Sequence, residues 1–319
     1  MDQARTPSAD RKQAEPASTP PPYYITKQQE LELRIKASQG VVMNGVPTSP
    51  VIGQSTSFDD YVRQLMIPTR VLELARKASS IRFSAWETEA IRALIAPGDG
   101  EQKGLLRHIL EQKAAADDSH PPYIRVGCTG RGEYDDLAAQ YGYKKSQEED
   151  SPLGDFGSPI VLELWPAQHY SPMHSHGDTT GIIYSLSGQI DVMLYDRLDW
   201  DAEKVGLLTL TPGQCAWLDG TRFAVHKVYC PMDGGSEKVG PGNLLNNSGN
   251  FAATFHVYLN PSELPLVSAA PKPKDHTRDQ FTFVDEKPPH KLVQFTTYSD
   301  LSWSILRRLM ADHAARIGM

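Results

Sequence analysis

Cysteine is scarce in this 319-residue chain, occurring only at Cys128, Cys215 and Cys230. Three thiols cannot build a disulfide scaffold, and they suit a reducing compartment. A basic excess is also missing: 32 Lys and Arg face 39 Asp and Glu, for a net charge of -7. Nucleic acid is therefore not an expected partner, because neutralising phosphates takes clustered cations. No apolar run approaches the roughly 20 residues of a membrane-spanning helix, so no membrane partner is expected either. The first residues lack the apolar core of a secretory signal. With 39% apolar and 22% charged residues, the chain reads as soluble and globular, with ample length for a core. A cytoplasmic monomer is the expectation.

Three regions differ in pattern. Residues 1–24 are rich in Pro, Ser, Ala and charge and read as a disordered tail. Residues 25–139 read as a helical N-terminal extension. There Tyr61, Leu65, Val71, Leu72 and Leu74 follow one helical face, broken near Pro68. Ser84-Ala-Trp-Glu87 has the form of a capping box ahead of Ile91, Leu94 and Ile95, with Pro97 ending the run. A further helix is expected over Leu105–Ala115. Residues 140–303 turn to short runs of branched and aromatic residues: 160–165, 181–186, 190–195, 207–210, 224–228, 252–258 and 292–297. Turn formers separate them, which predicts a β sandwich or barrel. No helix-length segment intervenes, so a parallel sheet of strand-helix-strand units is not expected. An amphipathic C-terminal helix closes the chain over 304–319.

His174-Ser-His176 carries the most chemistry. In an extended segment residues i and i+2 share a face, so two imidazoles stand side by side as half of a metal site. Alone, the pair reads more readily as two exposed loop histidines. His226, in a strand-like run 50 residues further on, offers a third ligand. His256 and Tyr258 repeat the i, i+2 spacing in a later strand, where the plainer reading is a satisfied core pair.

The stretch Pro166-Ala-Gln-His-Tyr-Ser-Pro-Met-His174-Ser-His176-Gly-Asp-Thr-Thr-Gly181, closing at Gly188, resembles the first motif of the cupin jelly-roll superfamily. Most cupins place a Glu ligand four or five residues after the second His; here those positions are Thr180 and Gly181. A site of His174, His176 and His226 alone is similar to the three-histidine iron centre of the thiol dioxygenases, the cysteine dioxygenase family above all. Trp165, Gln214-Cys-Ala-Trp-Leu-Asp-Gly220, Thr254-Phe-His256-Val-Tyr258 and Lys291–Thr297 resemble further segments of that family in order and spacing. The resemblance covers about residues 140–303, roughly half the chain.

It implies a mainly β cupin jelly-roll barrel with the helical N-terminal extension and C-terminal helix attached. It implies Fe(II) held by the three histidines, with Tyr258 and His256 as catalytic residues. The activity implied is oxidation of a small thiol by O2, L-cysteine to cysteine sulfinic acid, a step of cysteine catabolism toward hypotaurine and taurine. Three neutral imidazoles leave a divalent ion's charge uncompensated and one face open for thiolate, amine and O2, though the same ligands would also hold Zn, Ni or Cu. Another small thiol, such as 3-mercaptopropionate or cysteamine, and a non-catalytic metal-binding cupin stand as alternatives.

Two departures bear on the substrate. Gly181 stands where many animal members carry the Cys of a Cys-Tyr crosslink. The family's Tyr-x-Arg, which holds the substrate carboxylate, has Tyr143-Lys-Lys145 as its counterpart by spacing. Lys145 is thus the expected substrate-binding cation, without the bidentate fork of an arginine. Tyr123-Ile-Arg125 keeps the Tyr-x-Arg order but lies about 18 residues too far upstream. Its plainer reading is a solvated surface charge.

Overall fold

The computed structural model describes residues 51–52, 83–98, 104–117, 120–128, 131–143, 160–218, 220, 224–233, 245, 248–259 and 280–318. The expected tail at 1–24, the helical spacing from Tyr61 to Leu74, and Lys145 lie outside the described residues.

Most of the chain's strands form two facing sheets. We number them β1 (Val51–Ile52), β2 (Ile124–Gly127), β3 (Ile160–Pro166), β4 (His174–Ser175), β5 (Thr180–Ser187), β6 (Ile190–Tyr195), β7 (Lys204–Leu210), β8 (Cys215–Leu218), β9 (Val225–Tyr229), β10 (Phe251–Leu259), β11 (Gln280–Val284), β12 (Leu292–Thr296) and β13 (Leu301–Ser302). One sheet runs β1-β8-β5-β10-β3-β2-β13 and the other β12-β11-β4-β9-β6-β7. From β4 to β11 the chain passes repeatedly between the two sheets, and every pairing except β13 with β2 is antiparallel. That alternation is the expected jelly roll, a double-stranded β-helix of the cupin type.

Helices α1 (Ala85–Ile95), α2 (Leu105–Ala116), α3 (Asp135–Gln140) and α4 (Trp303–Arg316) accompany the sheets. The capping box forms as read: Ser84 accepts from the Glu87 amide, and Glu87 in turn accepts from the Ser84 amide at 2.7 Å. Ile91, Leu106, Ile109, Ile305 and Leu306 pack with Leu162, Leu164, Ile182, Phe255 and Val257 in one apolar layer. The helices therefore cover the outer face of the larger sheet, and β10 is buried along its whole length. Strands covered on both faces become near-continuous apolar runs, which is why Ile160–Trp165 and Ala252–Tyr258 read so strongly. On its other face Trp165 and Ile183 pack with Val192, Leu208 and Val228 of the smaller sheet.

β1, β2 and β11 depart from expectation, β1 pairing with β8 from within the segment read as helical. β2 falls inside the segment read as helical, yet it pairs with β3 on one side and β13 on the other. Ile124 and Val126 face the helical layer, so period-two alternation turns Tyr123 and Arg125 inward. The sheet thus begins before residue 140. β11, in a stretch read as loop, pairs with β12 and β4 and brings Phe281 inside.

Candidate metal centre

Strand register builds the centre. His174 on β4 lies directly opposite His226 on β9, and His176 follows at the end of β4. The three rings are 4.3 to 5.0 Å apart between centroids. One ligating nitrogen from each falls within 4.8 Å of the others, with His176 and His226 buried and His174 half-buried. The His174 Nδ1–H donates to the Pro172 carbonyl at 3.0 Å, which fixes the tautomer and leaves Nε2 as the free lone pair. Burial, opposed by that carbonyl, pushes His174 down to about 4. His176 is lowered further, by burial and then by His226 and His174. His174 and His176 are thus neutral near pH 7, the form that ligates a metal.

The donor set fits a divalent ion. His176 Nδ1 is buried without a hydrogen-bond partner, and among the described residues no carboxylate joins the trio. Gly181 shapes this corner. A Cβ there would lie 3.0 Å from His176 Nδ1 and 3.2 Å from its Cε1, so a glycine gives the ring its room.

The cavity beside the histidines is lined by Tyr123, Arg125, Glu163, Trp165, His256, Tyr258 and Phe281, among others. It is small, about 20 Å³. His256 and Tyr258 do share the inward face of β10. Trp165 Nε1 donates to Thr254 Oγ1 at 2.7 Å, and Thr254 Oγ1 lies 2.7 Å from His256 Nε2. Tyr258 packs edge-on to His176 at 5.2 Å. Burial and then the Glu163 carboxylate push the Tyr258 phenol up, so it keeps its proton near neutral pH.

Arg125 is not the solvated surface charge that its plainer reading gave. It is 2% exposed and projects into this cavity, because β2 enters the sheet beside β3. Asp300 grips its backbone from both sides: Arg125 N donates to Oδ2 at 2.7 Å, and Asp300 N donates to the Arg125 carbonyl at 2.7 Å. Tyr298 lies under the guanidinium at 5.0 Å. Tyr123 stacks on Trp165 at 4.0 Å. Burial works against the guanidinium's charge, but the Glu163 carboxylate and then Tyr123, Tyr258 and Tyr298 together raise Arg125 above its ordinary value.

Glu163 escaped the sequence reading, although an acidic residue in Ile-Val-Leu-Glu-Leu-Trp, two positions before Trp165, was a usable signal. Phe281 escaped with it. The three cysteines are buried, and burial pushes Cys230 up to about 12, which suits inert core thiols.

No protein-family model matches the chain, and no curated protein matches it. Among solved structures it is similar to a double-stranded β-helix protein from Klebsiella pneumoniae, at 12% identity over 33% of this chain and 70% of that one, TM-score 0.22. It is similar to an oxalate oxidase complexed with glycolate, at 13% over 45% and 54%, TM-score 0.25. A third is a DMSP lyase from Ruegeria pomeroyi, at 12% over 36% and 42%, TM-score 0.22. The chain thus spans about half the length of the oxidase and less of the lyase. Likenesses this slight carry no argument, and the cupin-type fold rests on the strand order and register described above.

Proposed function

We propose that this chain is a mononuclear non-haem iron dioxygenase of small thiols, with L-cysteine the first candidate and cysteine sulfinic acid the product. The observation that carries this reading is the makeup of one small cavity. Three histidines that no carboxylate joins among the described residues share it with a charged arginine and an un-ionised tyrosine.

Iron, when bound, supplies coordination of the thiol and activation of O2. The protein's own groups do the rest. Arg125, ion-paired through Nε with Glu163 at 3.2 Å, turns its remaining N–H donors to a substrate carboxylate. It takes the role first given to Lys145. Tyr258 directs an un-ionised hydroxyl toward the reacting sulfur or oxygen, and the Trp165–Thr254–His256 chain holds the neighbouring imidazole in place. Phe281 and Tyr123 exclude water. Both atoms of O2 enter the thiol, which becomes the sulfinic acid, and no external reductant is consumed.

A metal-binding cupin without catalysis would need the histidines but not the open guanidinium or the tyrosine. The test is O2 uptake by the iron-loaded protein across cysteine, 3-mercaptopropionate and cysteamine, with products identified by mass. A sulfinic acid from any of them supports the reading; bound iron with no uptake from all three overturns it.

A further inference from the structure

Two side chains of the metal cavity depend on β2: Tyr123 just before the strand and Arg125 within it. The strand is only four residues long. On one side it pairs with β3 throughout, while on the other β13 reaches it only from Val126 onward. For the Arg125 amide the Asp300 carboxylate stands where a strand carbonyl would: its Oδ2 accepts from Arg125 N at 2.7 Å. The same oxygen accepts from Lys113 Nζ at 2.7 Å, and Lys113 also donates to the Tyr123 carbonyl. The Tyr298 ring completes the group, 5.3 Å from the Lys113 ammonium and 5.0 Å from the Arg125 guanidinium.

Lys113 comes from the last turn of α2, in the helical layer outside the larger sheet. A lysine pointing to solvent would complement that helix end equally well. Instead its side chain is 14% exposed and that of Asp300 1%. Burial works against the ammonium, but Asp300 and then Tyr298 raise Lys113 above its ordinary value, so its charge persists near neutral pH. Desolvating an ion pair is costly, and an apolar pair of similar volume would serve stability as well or better. What the pair supplies is placement. It bonds the backbone on both sides of Ile124 and so fixes where Tyr123 and Arg125 stand. We propose that Lys113 and Asp300 are positioning residues that hold the Arg125 guanidinium in place for a substrate carboxylate, so that the helical layer sets how tightly the cavity grips that group. This rests on the carboxylate-binding role given to Arg125 above.

The test is calorimetry on the iron-loaded protein without O2, comparing cysteine with cysteamine, which shares the thiol and amine and lacks the carboxylate. The ratio of the two affinities reads the carboxylate contact, whereas a loosened fold or a lost metal weakens both ligands together. Arg125→Gln should lower the preference for cysteine by about tenfold or more. Lys113→Met and Asp300→Asn should each lower it by about threefold or more, with cysteamine binding unchanged. Asp300→Asn keeps the side chain's size and carries the test where Lys113→Met fails to fold. A ratio that falls in Arg125→Gln but stays at the wild-type value in the other variants overturns the inference, as does failure of both to fold. An unchanged ratio in Arg125→Gln overturns the carboxylate role and the inference with it. Oxygen uptake on the same proteins separates the remaining claim: a Lys113-dependent ratio with no oxidation would sink the dioxygenase reading alone.

Discussion

His174 and His226 occupy directly opposed positions on adjacent antiparallel strands, with their ring centroids 4.3 Å apart. The register of two strands thus sets the spacing of two ligands, and a slip of one residue would turn both away. Replacing His226 with Ala should reduce metal affinity by more than the roughly 10–100-fold that loss of an outer partner causes. Metal analysis after dialysis, run beside an activity assay, should show iron and turnover falling together. Retained iron at wild-type stoichiometry would contradict the ligand assignment.

Tyr258 makes a different prediction. Its hydroxyl is not a ligand, so Tyr258→Phe should keep iron and the apolar packing against Phe281 while slowing turnover by about 100-fold. Unaltered kinetics in an iron-replete variant would remove Tyr258 from the mechanism.

Gly181 is a steric prediction. Gly181→Ala would set a methyl 3.0 Å from His176 Nδ1, and β5 is held by β8 and β10 on either side. The His176 ring must therefore move. Iron affinity should fall by about tenfold with the melting temperature little changed. Wild-type iron affinity would show that this corner is softer than its packing implies.

His169 governs part of the acid response. Its Nδ1–H donates to the Pro122 carbonyl. Burial, only partly offset by that bond, pushes it down to about 3. The unfolded imidazole takes a proton near 6.5. The contribution is thus full above about pH 6.5 and is lost as pH falls toward 3, with a limiting slope of about 1.4 kcal/mol per pH unit. Denaturant melts of His169→Gln should show lower stability at pH 8 but a shallower decline below pH 6.5. Parallel declines would contradict the burial argument.

Much of this was readable from the chain. Strands covered on both faces declare themselves as apolar runs, so β3, β5, β6 and β10 stood out, and the i, i+2 pairs announced their shared faces. β2 did not, because four residues, Ile-Arg-Val-Gly, give too short a pattern to separate from loop, and spacing from His174 favoured Lys145 over Arg125. Only the sheet order shows that the upstream strand returns beside β3. Glu163 was hidden differently: one acidic residue in an apolar run reads as a solvent-facing position until both faces of that strand prove to be covered. β11 was masked by its position after a Pro- and Lys-rich stretch.

The central claim is that a three-histidine iron centre inserts both atoms of O2 into a thiol. Turnover of iron-loaded protein with cysteine under isotopically labelled O2 tests it most directly. Both labelled oxygens should appear in the sulfinic acid, in proportion to bound iron and not in the metal-free protein. A product with one labelled oxygen, a disulfide in place of a sulfinic acid, or turnover independent of iron would contradict the account.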